Sequence, residues 1–188
     1  MKNIHTLSIA VFAVTLGLAG CKGSQAITPS QNGEVEIIEY CTGSDYNSDN
    51  KHFRATATGE SLSRETAKKM SRSNAENRLA RTISSTLSIV TDNYVNSTKF
   101  NNKEEATETF NDLARTVVEQ ELRGAIIMCE KLTQKPDGSF VSYIAIELSG
   151  EGVAQAYNER LAKDERIMAE YNYENFKETF EAEMSKLQ

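Results

Sequence analysis

The sequence predicts an α+β fold: a small three-stranded antiparallel sheet packed by one long helix, with a second helix and a C-terminal helical extension. Three observations carry that expectation. A strand of small residues, RATATGESLS, turns directly into a long helical stretch that runs to Tyr94. Two apolar segments, AIIMCEKLT and FVSYIAIELS, flank Lys135, Pro136, Asp137 and Gly138. Pro presets the first turn dihedral and Gly accepts a positive one, so this is a hairpin signal. From Gly150 onward the chain again reads helical.

Residues 1–20 have a basic start at Lys2 and an apolar run from Ile9 to Leu18, and they end in Leu18, Ala19, Gly20 before Cys21. This is a secretory signal peptide closed by a lipobox. The small residues leave room for a peptidase beside the scissile bond. The expected product carries a thioether diacylglycerol on Cys21, with cleavage before it. Palmitate and similar acyl chains then anchor a soluble domain instead of a spanning one, since two or three chains hold far more firmly than one. Lys22 stands where some bacteria place the Asp that retains lipoproteins in the inner membrane, so outer membrane is the expected address in the cell envelope.

The full chain holds 21 Lys plus Arg against 27 Asp plus Glu, a net charge of -6, and removal of residues 1–20 takes away one base, Lys2, and no acid, leaving -7. Such a domain has no electrostatic footprint for nucleic acid. Anionic headgroups repel it as well, so the lipid must supply the membrane attachment.

Residues 21–51 read as lipidated Cys and tether. The part from Lys22 to Gly33 is polar and aperiodic, EVEIIEY alternates as a short edge strand would, and the stretch after Cys41 is rich in turn formers. The α+β domain is expected over 52–150, with strands near 52–61, 124–134 and 139–149. On the first strand Phe53, Ala55, Ala57 and Gly59 share one face at period two. That face is nearly flat, so something must approach it closely. Ala67, Ser71 and Ala75 recur along the helix that follows as an equally low ridge, and Leu79, Ile83, Leu87, Val90 and Tyr94 continue the stripe with larger side chains. Ser63 is the expected N-cap, Glu65 sits in the positive first turn, and Leu62 with Ala67 has the spacing of a hydrophobic staple. The turn at Gly59, Glu60 and Ser61 holds one Gly and an acid where a phosphate cradle needs several amides and a base.

Asn102 with Glu105 opens the second helix, whose stripe is Ala106, Phe110, Leu113, Val117 and Leu122. On the last strand Ser142, Ile144, Ile146 and Leu148 oppose Val141, Tyr143 and Ala145, and a strand apolar on both faces is central or covered twice. Residues 151–188 are expected to form a C-terminal helix with a drifting stripe of Val153, Tyr157, Leu161, Met168, Tyr171, Phe176, Phe180, Met184 and Leu187. Its second half exceeds what a three-stranded sheet can bury. It reads either as a surface for self-association or another partner, or as a solvated, partly frayed tail.

Residues for catalysis are scarce. His5 leaves with the signal peptide and His52 stands alone at the start of a strand, with Asp49 near in sequence and no nucleophile elbow. Zinc would need several His and Cys at close spacing, and only Cys41 and Cys129 remain after lipidation. Glu104, Glu105 and Glu108 lie on an outer helix face as solvated charge. No phosphate loop, dinucleotide fingerprint or calcium loop is present. The expectation is a protein without catalytic residues, metal site or cofactor. Cys41 and Cys129 are the two thiols left in an oxidising compartment, and an even count with one possible pairing predicts a disulfide. The alternative is a buried Cys129 and a free loop thiol at Cys41.

A lipobox, then FRATATGES, then a helix carrying NAENRLARTI, and later a strand pair closing in YIAIEL together resemble the Lpp-twenty family of bacterial lipoproteins. The fold is similar to the amino-terminal domain of an outer-membrane flagellar assembly protein. The resemblance spans residues 53–148 and rests on packing motifs. It implies an envelope lipoprotein without known enzymatic activity, and the function most compatible with the whole reading is binding or scaffolding another envelope component. The runner-up is an accessory subunit of a transport or surface complex, with an envelope enzyme a distant third.

Overall fold

The computed structural model describes residues 37–187. The first strand, β1 (His52–Ser61), leads into the long helix α1 (Arg64–Ser97), which is followed by α2 (Lys103–Glu121). A hairpin of β2 (Ile126–Gln134) and β3 (Phe140–Ser149) comes next, then α3 (Gly150–Leu161) and α4 (Tyr173–Met184). The sheet is antiparallel with order β1-β3-β2, so the strand that is apolar on both faces is the central one. The hairpin turn forms as its residues dictate. Gly138 has φ 87°, its amide donates to the Lys135 carbonyl at 2.9 Å, and Asp137 accepts from the Ser139 amide.

One face of the sheet packs on α1. Phe53, Ala55, Ala57 and Gly59 point into it, and the low ridge of Ala67, Ser71 and Ala75 is fully buried against them. A polar contact closes this zone, since the Ser71 hydroxyl lies 2.8 Å from that of Ser142 on β3. Farther along, Leu79, Ile83, Leu87, Val90 and Tyr94 fill a widening gap. Ser63 caps the helix by accepting from the Thr66 amide. The staple does not form. Leu62 is 79% exposed, because the chain leaves β1 through two serines and turns that side chain to solvent.

The C-terminal region corrects the expectation of one continuous helix over 151–188. The helix stops after Leu161, residues 162–172 form turns, and α4 returns to pack on α1. Asp164 holds the first turn by accepting from the Arg166 amide and guanidinium. Asn172 then caps α4 by accepting from the Asn175 amide at 3.0 Å. Phe176, Phe180 and Met184 are buried in the core, so the stripe read as a partner surface or a tail is covered by the chain itself. Within the turn region Ile167 is buried and Met168 exposed, the reverse of the helical assignment. An aromatic cluster of Tyr94, Phe100, Phe110, Tyr157, Tyr171 and Phe176 joins α1, α2, α3 and α4 and is continuous with the core under the sheet. Burial raises the Tyr157 hydroxyl well above its ordinary range. It stays protonated and donates to the Phe110 carbonyl at 2.8 Å.

The fold also begins earlier than the expected boundary at His52. Cys41 is buried, and residues 41–49 lie across the second face of the sheet. Of the expected edge strand EVEIIEY, residues 34–36 lie outside the described residues and residues 37–40 are not in a strand. Among the described residues, no helix is long and apolar enough to cross a membrane.

Candidate functional site

The described chemistry gathers at the start of β1 and on the face of the sheet turned away from α1. Cys129 on β2 stands opposite Ala145 on β3, on that second face. The structure joins it to Cys41 by a disulfide with Cα atoms 5.6 Å apart across a sequence separation of 88. Just before Cys41, Tyr40 meets the ring of Tyr143 edge-on at 5.4 Å. The chain then crosses toward β1, where the Ser48 hydroxyl accepts from the Arg54 amide at 2.9 Å.

There the segment ends in a charged network. Arg54 donates through Nε to Glu147 at 2.7 Å and through Nη1 to Asp49 at 2.7 Å and to the Asn47 carbonyl at 2.9 Å. Asp49 Oδ1 accepts from the amides of Lys51 and His52, both at 2.8 Å. Desolvation pushes the Asp49 carboxyl up, but these amides and the Arg54 guanidinium outweigh it and hold the group at about 2. His52 Nδ1 lies 3.2 Å from Asp49 Oδ1 and also 3.2 Å from an Arg54 nitrogen.

His52 further lines a cleft of about 630 Å³ at the end of the sheet, with Lys51, Gly150, Tyr173, Phe180 and Met184. Gly150 is required there, since a Cβ on it would meet the Met184 methyl at 2.7 Å and the Lys51 carbonyl at 2.9 Å. Ser149 stands directly opposite His52 in the ladder. Its hydroxyl accepts from the Gly152 amide as the cap of α3, and among the described residues no hydrogen bond joins it to His52. The cleft therefore brings together a carboxylate-held imidazole and a serine without the nucleophile-to-base contact that acyl transfer uses. Lys51, Glu151, Lys177 and Glu181 also line it, with Lys177 paired to Glu181 at 3.8 Å one turn along α4.

Cys21 lies outside the described residues. Cys41 and Cys129 come together, whereas Glu104, Glu105 and Glu108 stay on the exposed side of α2. Among the described residues, no group of three or more His, Cys, Asp or Glu is placed to hold a metal ion. Sequence reading missed the Arg54–Asp49–Glu147 network. Its only local signal was the pairing of Asp49 with the amides two and three residues on, an ordinary turn feature. No protein-family profile, curated protein or solved structure matches this chain.

Proposed function

We propose that this protein is a lipid-anchored domain of the bacterial cell envelope, without catalytic activity, that binds or scaffolds another envelope component. The observation that carries the reading is the use of all three cysteines. Cys21 ends a lipobox, and the other two are paired in a disulfide, the state expected of an exported protein. Export, processing before Cys21 and acylation of its thiol account for the first, and an oxidising compartment for the others. The acidic charge argues against a nucleic-acid partner. Lys22 after the acylated residue favours the outer membrane. The resemblance to the Lpp-twenty lipoproteins belongs to the same reading and rests on the packing motifs of β1, α1 and β3.

Capture of the lipidated full chain from envelope membranes tests this function. A protein recovered in stoichiometric amount supports a scaffold or subunit, and an accessory role in a larger complex would show as several partners recovered together. A small molecule retained in the cleft beside His52, with turnover on incubation, would overturn the non-catalytic reading.

A further inference from the structure

The two edges of the sheet are treated differently. Along β1, α1 reaches over the outer edge: Asn74 donates to the Thr58 carbonyl and Arg78 to the Thr56 carbonyl, each at 2.9 Å, and Ser48 binds the Arg54 amide. Along β2, among the described residues, no hydrogen bond outside the ladder with β3 reaches the backbone of residues 126–133. That open edge is also apolar. Ile126 is 59%, Ile127 50% and Met128 39% exposed. The ladder places Ile126 opposite Glu147 and Ile127 opposite Ile146, on the two faces of the sheet, with Met128 in the irregularity between Ile127 and Cys129. Three large apolar side chains thus spread around one strand edge.

The disulfide brings a second group to the same place. Ile38 and Tyr40 are exposed and lie within three residues of Cys41, hence within about 10 Å of a residue bonded to β2. Of the ten large apolar side chains exposed between Ile38 and Leu187, five are Ile38, Tyr40, Ile126, Ile127 and Met128. Single exposed apolar residues are ordinary, whereas a cluster marks a contact surface. In the sequence, 15 residues, 22–36, separate Cys21 from Ile37, which adjoins this cluster.

From this we infer that the β2 edge, with Ile38 and Tyr40, is the face the domain lays on the bilayer. The inference rests on the lipid-anchored reading above, because the anchor keeps this edge, where the tether leaves, near the membrane. The depth is shallow. Strand-edge amides and carbonyls need water or headgroup partners and do not enter the hydrocarbon, while Ile, Met and Tyr side chains suit the boundary between headgroup and acyl chain. Lys131 and the ion-paired Lys68 and Arg72 of α1 flank the edge, with Glu130 and Glu76 as the partners of the latter two. With Glu39 between Ile38 and Tyr40 and Glu147 opposite Ile126, the surround carries charges of both signs, which suits a lipid surface without net charge.

The chain contains no tryptophan, so a single indole reports its own surroundings. The experiment compares Ile127→Trp, Met128→Trp and the control Ile89→Trp, whose position on α1 is 46% exposed. Each is made in the lipidated full chain and reconstituted in phosphatidylcholine vesicles carrying brominated acyl chains. The expected result is flotation of all three with the vesicles, with quenching at least twofold stronger at 127 and 128 than at 89. Flotation with equal quenching at all three positions would overturn the bilayer-facing edge and leave the anchor standing. Shielding of 127 and 128 from acrylamide without lipid quenching would also overturn it, in favour of a protein strand added to β2. Failure of the wild-type chain to float would instead refute the anchor itself.

Discussion

Gly59 on β1 and Ser71 on α1 touch backbone to backbone: a Cβ built on Gly59 would overlap the Ser71 amide nitrogen and the Ala67 carbonyl oxygen. The helix can lie this close because the ridge facing the strand is Ala67, Ser71 and Ala75. Since the obstructing atoms are backbone, they cannot swing aside, and Gly59→Ala should cost about 1 to 3 kcal/mol or more through overpacking. Ala57→Leu and Ala75→Leu should cost similar amounts, while Thr58→Leu, at an exposed position of β1, should cost little. Chemical denaturation of the four variants checks the ranking, and equal stabilities would contradict the facing assignment.

The disulfide holds residues 41–49 across the sheet, and an 88-residue separation makes the closed loop long. Constraining a loop of that size contributes on the order of 4 kcal/mol through the unfolded state. Cys41→Ser with Cys129→Ser should therefore lower stability by a large part of that amount while β1, β3 and α1 stay folded. Hydrogen exchange on the double variant should show loss of protection concentrated around the Arg54 amide, which Ser48 binds.

Asp49 gives a pH dependence with a definite sign. Its folded carboxyl sits at about 2, below the ordinary value near 4, so the stability it contributes is fully present above that ordinary value and is lost as pH falls through the folded one. Denaturant midpoints measured from pH 5 down to pH 2 should fall more steeply for the wild type than for Asp49→Asn. The variant should be the less stable of the two at pH 7. Parallel curves would mean that the network with Arg54 and the Lys51 and His52 amides is not formed in solution.

The return of α4 onto α1 makes Phe176 a core residue. Phe176→Ala should cost about 3 to 5 kcal/mol, whereas Met168→Ala, exposed in the turn region, should fall within about 0.5 kcal/mol of wild type. A helix extended away from the domain would give the opposite ranking or none, and thermal melts of the two variants separate the cases.

The fold was legible where local periodicity and packing agree. The flat face of β1 demanded a close neighbour, and the small ridge of α1 supplied it. β3 read as central because Val141, Tyr143 and Ala145 made its second face apolar as well. Residues 162–172 were not legible as a break because AKDERIMAEYN contains neither Pro nor Gly and is full of helix formers. The break is made by side chains, Asp164 and Asn172, and the spacing of Asn172 to Asn175 was the one available sign. Leu62 had the spacing of a staple, but spacing does not fix the direction in which the chain leaves a strand. The network under the cover of the second face joins Arg54 to Glu147 through the β1–β3 register, which no local pattern shows, and to Asp49 through the turn that precedes β1.

Mass analysis of the mature protein taken from native envelope, digested without reduction, bears most directly on the anchored, disulfide-bonded reading. The expected products are an N-terminal peptide beginning at Cys21 with a diacylglycerol mass on its thiol, and a separate peptide pair linked through Cys41 and Cys129. An N-terminus elsewhere with Cys21 unmodified, or two alkylatable thiols at Cys41 and Cys129, would contradict it.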